Sequence, residues 1–545
     1  MKKTTLLLQI GIMLLLGCNA DIAQGPGSET VALAGQAVYE TGEKAAGCRV
    51  VLRSKDFLIS VPEQEPQNGS ETETITDDLG RFEIDSVFPG EYSLVISDEQ
   101  SKAVLLPCTV GNQNERVEIP AGVLKPTSNL NGKVALPADY DGPVYVRIYG
   151  LDSYYSVDAD EGTYTLTDIP EGIHEICVTI IKTGTLFSDV QSITVPSGST
   201  VDAGTMNLNP HGSSSFSRTI GLNTTSTGAA VAENALHFPI LLRLDETNFD
   251  FSQAAPDGRD IRFTKQDGTF MHYEIERWDT ELKTAEVWVL ADTVYGDDST
   301  QFFTMHWGDT TLSSPESGAV FDTARGYEGV WHLCETEPPV VFDATANGLH
   351  GQTENIRESF TSVGAIGVAK PFNGGTTYIQ IAESHSGKLD FSEHDSFSIS
   401  AWVYLDTLDG LYHQIVSKGN QQYGLQVHED GSFEFFSFSE TNGWSGVRAP
   451  AQAGKWKFVT GVKDGPDLRL YIDGILASEE IIARADHSHR DTGYDLYIGR
   501  RADIADRFWK GSIDEVRISS EAKNSSWVKL EYMNQSFPDL LTKFK

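Results

Sequence analysis

Along most of the chain, apolar residues alternate with polar ones in runs of five to nine, and this period-two pattern predicts strands that each turn one face to a core. In Phe397-Ser398-Ile399-Ser400-Ala401-Trp402-Val403, the residues Phe397, Ile399, Ala401 and Val403 share one face. Trp402 sits among serines on the other, which predicts that both faces are at least partly covered. Leu470-Tyr471-Ile472 runs into Asp473-Gly474, a hairpin signal because both residues tolerate positive φ. Gly511 to Ile518 forms a further strand. Upstream, Phe238 to Leu244, Ile261 to Phe263, Tyr273 to Trp278, Ala285 to Val289 and Phe302 to Trp307 read as an antiparallel set joined by Asp-Gly turns.

Two N-terminal segments share a grammar. The first contains Val31 to Val38, Cys48 to Leu52, then Asp77-Asp78-Leu79-Gly80-Arg81-Phe82 and Phe88-Pro89-Gly90-Glu91-Tyr92. The second repeats it as Leu130 to Val134, Val144 to Ile148, Glu161-Gly162-Thr163-Tyr164 and Ile169-Pro170-Glu171-Gly172. Two copies imply two small sandwiches. A chain of 545 residues, at about 150 per domain, holds three or four domains.

These motifs carry resemblances. The segment 31–120 is similar to the carboxypeptidase regulatory-like fold, a seven-stranded immunoglobulin-type sandwich, and 125–209 resembles a divergent second copy, with Glu161-Gly162-Thr163-Tyr164 replacing the usual turn. Residues 216–325 resemble the bacterial domain of unknown function 2341, and the joint Gly329-Val330-Trp331-His332-Leu333 fits that likeness. The region 328–535 resembles the laminin-G-like, concanavalin A-like jelly roll. The expected fold is therefore all-β and multi-domain: two small immunoglobulin-like sandwiches, a further β-sandwich and a C-terminal jelly roll. The resemblances imply spacers, a domain without established activity, and a binding module.

At the N-terminus, Lys2 and Lys3 precede an apolar run from Leu6 to Leu16 that is too short for an ordinary membrane span. Leu15-Leu16-Gly17-Cys18 resembles a bacterial lipobox, which implies a signal peptide over 1–17, a diacylated Cys18 and a polar tether over 18–30. Asn19 in place of aspartate favours the outer membrane, and the expected location is the cell envelope, facing either the surface or the periplasm.

Composition narrows the partners. A net charge of −37 repels phosphate backbones and anionic lipid surfaces, so nucleic acid is excluded as a partner. Besides Cys18 the cysteines are Cys48, Cys108, Cys177 and Cys334. Cys48 and Cys108 fall on apolar strands of one sandwich, so a disulfide in an oxidising compartment and a pair of buried thiols both remain open.

Catalytic signatures are missing. Retaining glucanases of the concanavalin-like fold carry Glu-x-Asp-x-x-Glu on one strand, and the nearest fragment, Glu83-Ile84-Asp85, has Phe88 at the third position. The chain is accordingly expected not to be an enzyme, a glycan-degrading enzyme with unrecognised carboxylates being the alternative. For metals, the jelly-roll resemblance implies a structural Ca2+ at Asp514, with Asp343 as its partner; the competing reading has Asp514 cap a turn or pair with Arg517. His487 and His489 offer a weaker transition-metal pair. For ligands, Trp444 stands in a polar, Gly-rich stretch with Asn442 and Arg448, where it either stacks on a sugar ring or folds back over the sheet edge. Tyr423 and Trp509 are weaker aromatic candidates. The functional expectation is a lipid-anchored protein that binds polysaccharide or a surface or matrix protein, the alternative being a purely structural envelope component.

Overall fold

The computed structural model describes residues 31–545, except for 56, 60, 62–71, 88–89, 111–115, 183–184, 211–214, 267, 309–319, 337–338, 356–361, 383–386, 393–394, 420–421, 440–442 and 482–493. The architecture is all-β and multi-domain, and the α-helix Ser525–Gln535 is the only one among the described residues.

The internal repeat is visible as shared local physics. In the first sandwich Asp77 Oδ1 accepts the backbone N–H groups of Leu79 and Arg81, and in the second Asp158 Oδ1 accepts those of Asp160 and Glu161. Each turn ends on a left-handed glycine, Gly80 at φ 71° and Gly162 at φ 69°. A Cβ there would lie 2.3 Å from the Ala37 carbonyl oxygen or 2.5 Å from that of Val134, so only glycine fits. The aromatic residue that follows lies over a glycine of the opposite strand: Phe82 covers Gly35, and Tyr164 covers Gly132. The second sandwich packs a three-stranded sheet on a five-stranded one around Val146, Ile148, Leu166 and Val178.

The open question of a Cys48–Cys108 disulfide is resolved against the bridge. The strand Arg49–Ser54 pairs with Gly90–Ser97 from Arg49↔Ser97 to Ser54↔Tyr92, and Tyr92 in turn pairs with Cys108. Cys48 thus precedes one end of the sheet while Cys108 lies level with the other, roughly 20 Å away at ~3.3 Å per residue. Disulfides need Cα atoms within about 7 Å. All four described cysteines are free thiols, and Cys48 is a core residue beside Val50 and Tyr92.

In the third domain the sheet Ala235–Asp245, Thr284–Val294, Tyr273–Asp279 faces a second one made of Arg262–Thr264, Phe302–Trp307, Phe216–Leu222 and, from the far end of the chain, Thr542–Phe544. The strand Thr542–Phe544 pairs Phe544 with Ile220 and Thr542 with Leu222. The third domain therefore draws on residues beyond 535, which the linear division at 325 could not show.

Its first sheet is apolar on both faces. Ile240, Leu242, Val287 and Val289 point into the domain's own core, whereas Leu241, Trp288 and Leu290 pack against Phe321, Tyr327, Val330 and Ile366. Near-continuous apolar runs are what a doubly covered sheet requires. The cover is the C-terminal domain, built from two facing eight-stranded sheets with Trp331, Phe397, Ile399, Leu425, Phe435 and Trp509 between them. Asp473 (φ 53°) and Gly474 (φ 73°) form the expected primed turn between Ile472 and Ile475.

The helix closes this arrangement. Its Asn524 cap accepts from the Trp527 N–H, and Trp527 and Leu530 enter the core of the third domain while Val528 joins Trp402, Phe458 and Tyr471 on the jelly roll. This cover explains why Trp402 interrupts a serine face. Buried Asn534 acts as a backbone mimic, accepting from Leu241 N–H at 2.7 Å and donating to the Leu241 carbonyl at 3.0 Å.

Two outcomes follow. Alkylation of the unfolded, unreduced chain should label both Cys48 and Cys108, and a peptide cross-linked between them would contradict this fold. Replacing Asn534 by Ala strands two buried backbone groups and should cost about 2 kcal/mol, read as a lower thermal midpoint; an unchanged midpoint would show that the helix is not docked as described.

Candidate functional site

One jelly-roll sheet is covered by the third domain and the helix; among the described residues the other presents an open outer face. That sheet runs Val340–Val341, Gly351–Glu354, Tyr378–Ile381, Leu496–Ile498, His413–Lys418, Tyr423–Val427, Ser432–Ser439, Gly443–Pro450. Alternation sends Leu425, Val427, Phe433, Phe435, Val447 and Ala449 to the core and Gln426, Glu434, Phe436 and Arg448 to the opposite face. There a groove of about 510 Å³ opens, and Trp444, Tyr412, Gln414 and Arg507 also line it.

The floor is a fixed polar ladder. Arg507 donates to the Gln426 amide oxygen (3.1 Å), Gln426 donates to Glu434 Oε2 (2.5 Å), and Arg448 Nε donates to Glu434 Oε1 (2.7 Å). At one wall the Arg507 guanidinium lies 4.0 Å from the centre of the Tyr412 ring, whose hydroxyl meets His428 Nε2 at 2.8 Å. Arg501 and Asp503 pair beside Ser417, whose hydroxyl accepts from the Ala502 N–H. Each side chain is held by another, so the groups keep their directions without a ligand.

Trp444 lies on the strand Gly443–Pro450 rather than on a loop, because the hairpin registers Phe438 against Trp444 and Phe436 against Gly446. Its ring meets Phe436 and Phe438 edge-on at centroid distances of 5.3 and 5.1 Å and remains 50% exposed. The two readings of Trp444 therefore merge: it packs on the sheet edge and still offers a face to the groove. Arg448 lines the groove, whereas Asn442, His487, His489 and Cys18 lie outside the described residues. Tyr423 and Trp509 drop out as ligand contacts. Both are core residues, Tyr423 donating its hydroxyl to the Leu389 carbonyl and Trp509 its indole N–H to that of Ser512. Gln414, Gln426, Glu434 and Arg507 were not singled out from the sequence; the signal was polar residues alternating through otherwise apolar strands.

The two aspartates assigned to calcium are engaged separately. Asp343 accepts from the backbone N–H groups of Val330, Thr345 and Leu349 and from the Thr345 hydroxyl, which makes it the organiser of its own loop. Asp514 is fully buried, accepts from the Ile366 N–H at 2.9 Å through Oδ2, and leaves Oδ1 without a partner. No donor is common to the two.

Around Asp514 lies a buried charged cluster at the junction with the third domain. His332 Nδ1 is 2.6 Å from Glu515 Oε1, Arg517 donates to Glu515 Oε2 (2.8 Å) and to Glu531 Oε1 (2.9 Å), and Trp288 Nε1 donates to Glu276 Oε2 (2.8 Å). Burial disfavours a charged His332, but Glu515, Glu276 and Glu274 outweigh it and hold its pKa up to about 10. Burial, reinforced by Glu515, pushes Glu276 up to about 8, and Asp514 rises for the same reasons. Glu515 moves the other way: burial opposes its charge, yet His332 and Arg517 prevail.

Comparison with known proteins follows the same division. Residues 373–529 match the family model of the concanavalin A-like lectin/glucanases superfamily, and residues 257–331 match a domain of unknown function, DUF2341. No curated protein matches the chain. Among solved structures, domain 4 of AbnA, a GH43 extracellular arabinanase from Geobacillus stearothermophilus in complex with arabinotriose, is 21% identical, covering 37% of this chain and 97% of its own, with a TM-score of 0.28. The Ruminococcus gnavus IT-sialidase CBM40 bound to α2,3-sialyllactose is 11% identical, covering 30% and 94%, with a TM-score of 0.24. A Trypanosoma rangeli sialidase in complex with sialic acid aligns over 92% of this chain and 83% of its own at 10% identity and a TM-score of 0.31. These are likenesses of fold. The expectation that the chain is not an enzyme is nevertheless corrected, since the family model matched by residues 373–529 spans glucanases as well as lectins and a missing motif excludes no hydrolase. The C-terminal domain of this chain is a concanavalin A-like fold.

Proposed function

We propose that the chain is an exported, lipid-anchored envelope protein that takes a glycan chain into the groove of its concanavalin A-like domain. The observation that carries this reading is the half-exposed Trp444 ring beside the prefixed ladder Arg507, Gln426, Glu434, Arg448. Sugar rings set their apolar C–H faces on aromatic planes, and their hydroxyls then require donors and acceptors already in place. The ladder supplies both kinds, from guanidinium and amide N–H groups and from carboxylate and amide oxygens. The N-terminal sandwiches act as spacers between Cys18 and the groove. Among the described residues no helix is long and apolar enough to cross a membrane, and attachment rests on the lipobox-like sequence around Cys18.

The test is a glycan array with the purified full chain, run with Ca2+ and again with EDTA, followed by calorimetry on the glycans retained. Trp444→Ala should weaken binding tenfold or more, a loss of about 1.4 kcal/mol or above, and Glu434→Gln should do likewise by disconnecting Arg448 from Gln426. An array blank under both conditions, with a folded chain, removes the glycan reading in favour of a protein partner or an envelope-assembly role. Loss of binding in EDTA that added Ca2+ alone restores would support the calcium expectation at Asp514. Reducing-end release from a bound glycan, abolished in Glu434→Gln, would make the groove a hydrolase site.

A further inference from the structure

The charged cluster between the third domain and the jelly roll has the composition of a metal site. Glu276, His332 and Glu515 each offer a ligating atom, and these atoms lie within 4.8 Å of one another. Glu276 Oε2 is 3.8 Å and Glu515 Oε1 2.6 Å from His332 Nδ1. The ligands come from three separate elements: Glu276 from Tyr273–Asp279, His332 from the residue after Tyr327–Trp331, and Glu515 from Lys510–Ser519.

Both glutamates sit where a strand departs from regular pairing. In Tyr273–Asp279 the register passes from Ile275↔Val287 to Arg277↔Glu286, leaving Glu276 as the extra residue. In Lys510–Ser519 it passes from Asp514↔Trp402 to Arg517↔Ser400, and Glu515 takes the left-handed region at φ 51°. Bulges redirect side chains, and a non-glycine residue at positive φ persists only where its surroundings hold it.

The independent observation is unsatisfied ligand capacity. The side chains of Glu276 and Asp514 are wholly buried, yet Glu276 Oε1 and Asp514 Oδ1 have no hydrogen-bond partner, and neither has His332 Nε2 or Glu274 Oε2. Buried polar atoms are ordinarily paired, so several orphans around one imidazole point to a missing partner.

We propose that Glu276, His332 and Glu515 bind a divalent transition-metal ion that fastens the third domain to the jelly roll. One imidazole with carboxylates suits Zn2+, Mn2+ or Fe2+ better than Ca2+, which prefers oxygen alone. His332 Nδ1 gives up its proton to become a ligand, Glu515 Oε1 moves from hydrogen-bond acceptor to ligand, and Arg517 stays on Glu515 Oε2 as an outer partner that orients it. The ion would be structural, since its ligands lie under the domain junction rather than in the groove.

The full chain is stripped with chelator, incubated with Zn2+, desalted and measured by mass spectrometry for metal content, with the thermal midpoint recorded before and after. The expected result is one equivalent of zinc and a raised midpoint, with both lost in Glu276→Gln and in His332→Ala and both kept in Trp444→Ala. Loading with Co2+ should give visible d–d bands that His332→Ala abolishes, a signature that a merely destabilised junction would not produce. If Glu515→Gln fails to fold because Arg517 loses its partner, the Glu276 and His332 variants decide. A wild-type chain that retains no zinc and shows no midpoint shift overturns the proposal, as does uptake that survives in both variants.

Discussion

Arg517 is fully buried, and everything around the domain junction is arranged to tolerate its charge. Its guanidinium bonds Glu515 and Glu531 and lies 4.3 Å from the centre of the Trp288 ring and 5.0 Å from that of Phe321. Removing one member would leave another charge unpaired in a medium that cannot solvate it, a loss of about 3–5 kcal/mol. Those partners come from the jelly-roll sheet, from the helix and from the third domain, so one cation joins three parts of the chain. The same sheet buries Trp288 and Leu241 on that side, which ties the apolar and polar halves of the junction together.

This junction decides which face of the jelly roll stays open. A two-sheet sandwich has two outer faces; here the third domain and the helix occupy one, through Trp288, Phe321, Trp402 and Val528. The other face retains its polar residues and the exposed ring of Trp444. The return of Thr542–Phe544 to pair with Phe216–Leu222 makes the closure firm, because the end of the chain completes a sheet begun more than three hundred residues earlier. The DUF2341 segment thus acts as the platform that holds the concanavalin A-like domain with its groove outward.

Within the groove the physics is preorganisation. Glu434 is buried and shared between Gln426 and Arg448, so the carboxylate is satisfied and the two donors are fixed. Long polar side chains that are already ordered lose less entropy when a ligand arrives. Trp444 gains its orientation from Phe436 and Phe438, two residues on the same face of the neighbouring strand. The exposed ring and the strand pairing that orients it are here one and the same feature.

Local constraints were legible in the sequence. Asp473-Gly474 demanded a primed turn, Gly80 and Gly162 demanded left-handed turns, and Phe397-Ser398-Ile399-Ser400-Ala401-Trp402 demanded a strand covered on both faces, since each follows from φ preferences or side-chain alternation within a few residues. Trp444 and Arg448 could be named because an aromatic ring and a guanidinium stand together in a polar, Gly-rich stretch, although that stretch folds as a strand rather than a loop. What covers Trp402, where Glu276 meets His332 and Glu515, why Cys48 and Cys108 stay apart, and why Asp343 serves its own loop were decided by pairings between residues tens to hundreds of positions apart. Such pairings are set by register and domain packing, which the composition of any single segment does not encode; only the folded chain brings those groups within ångströms of one another.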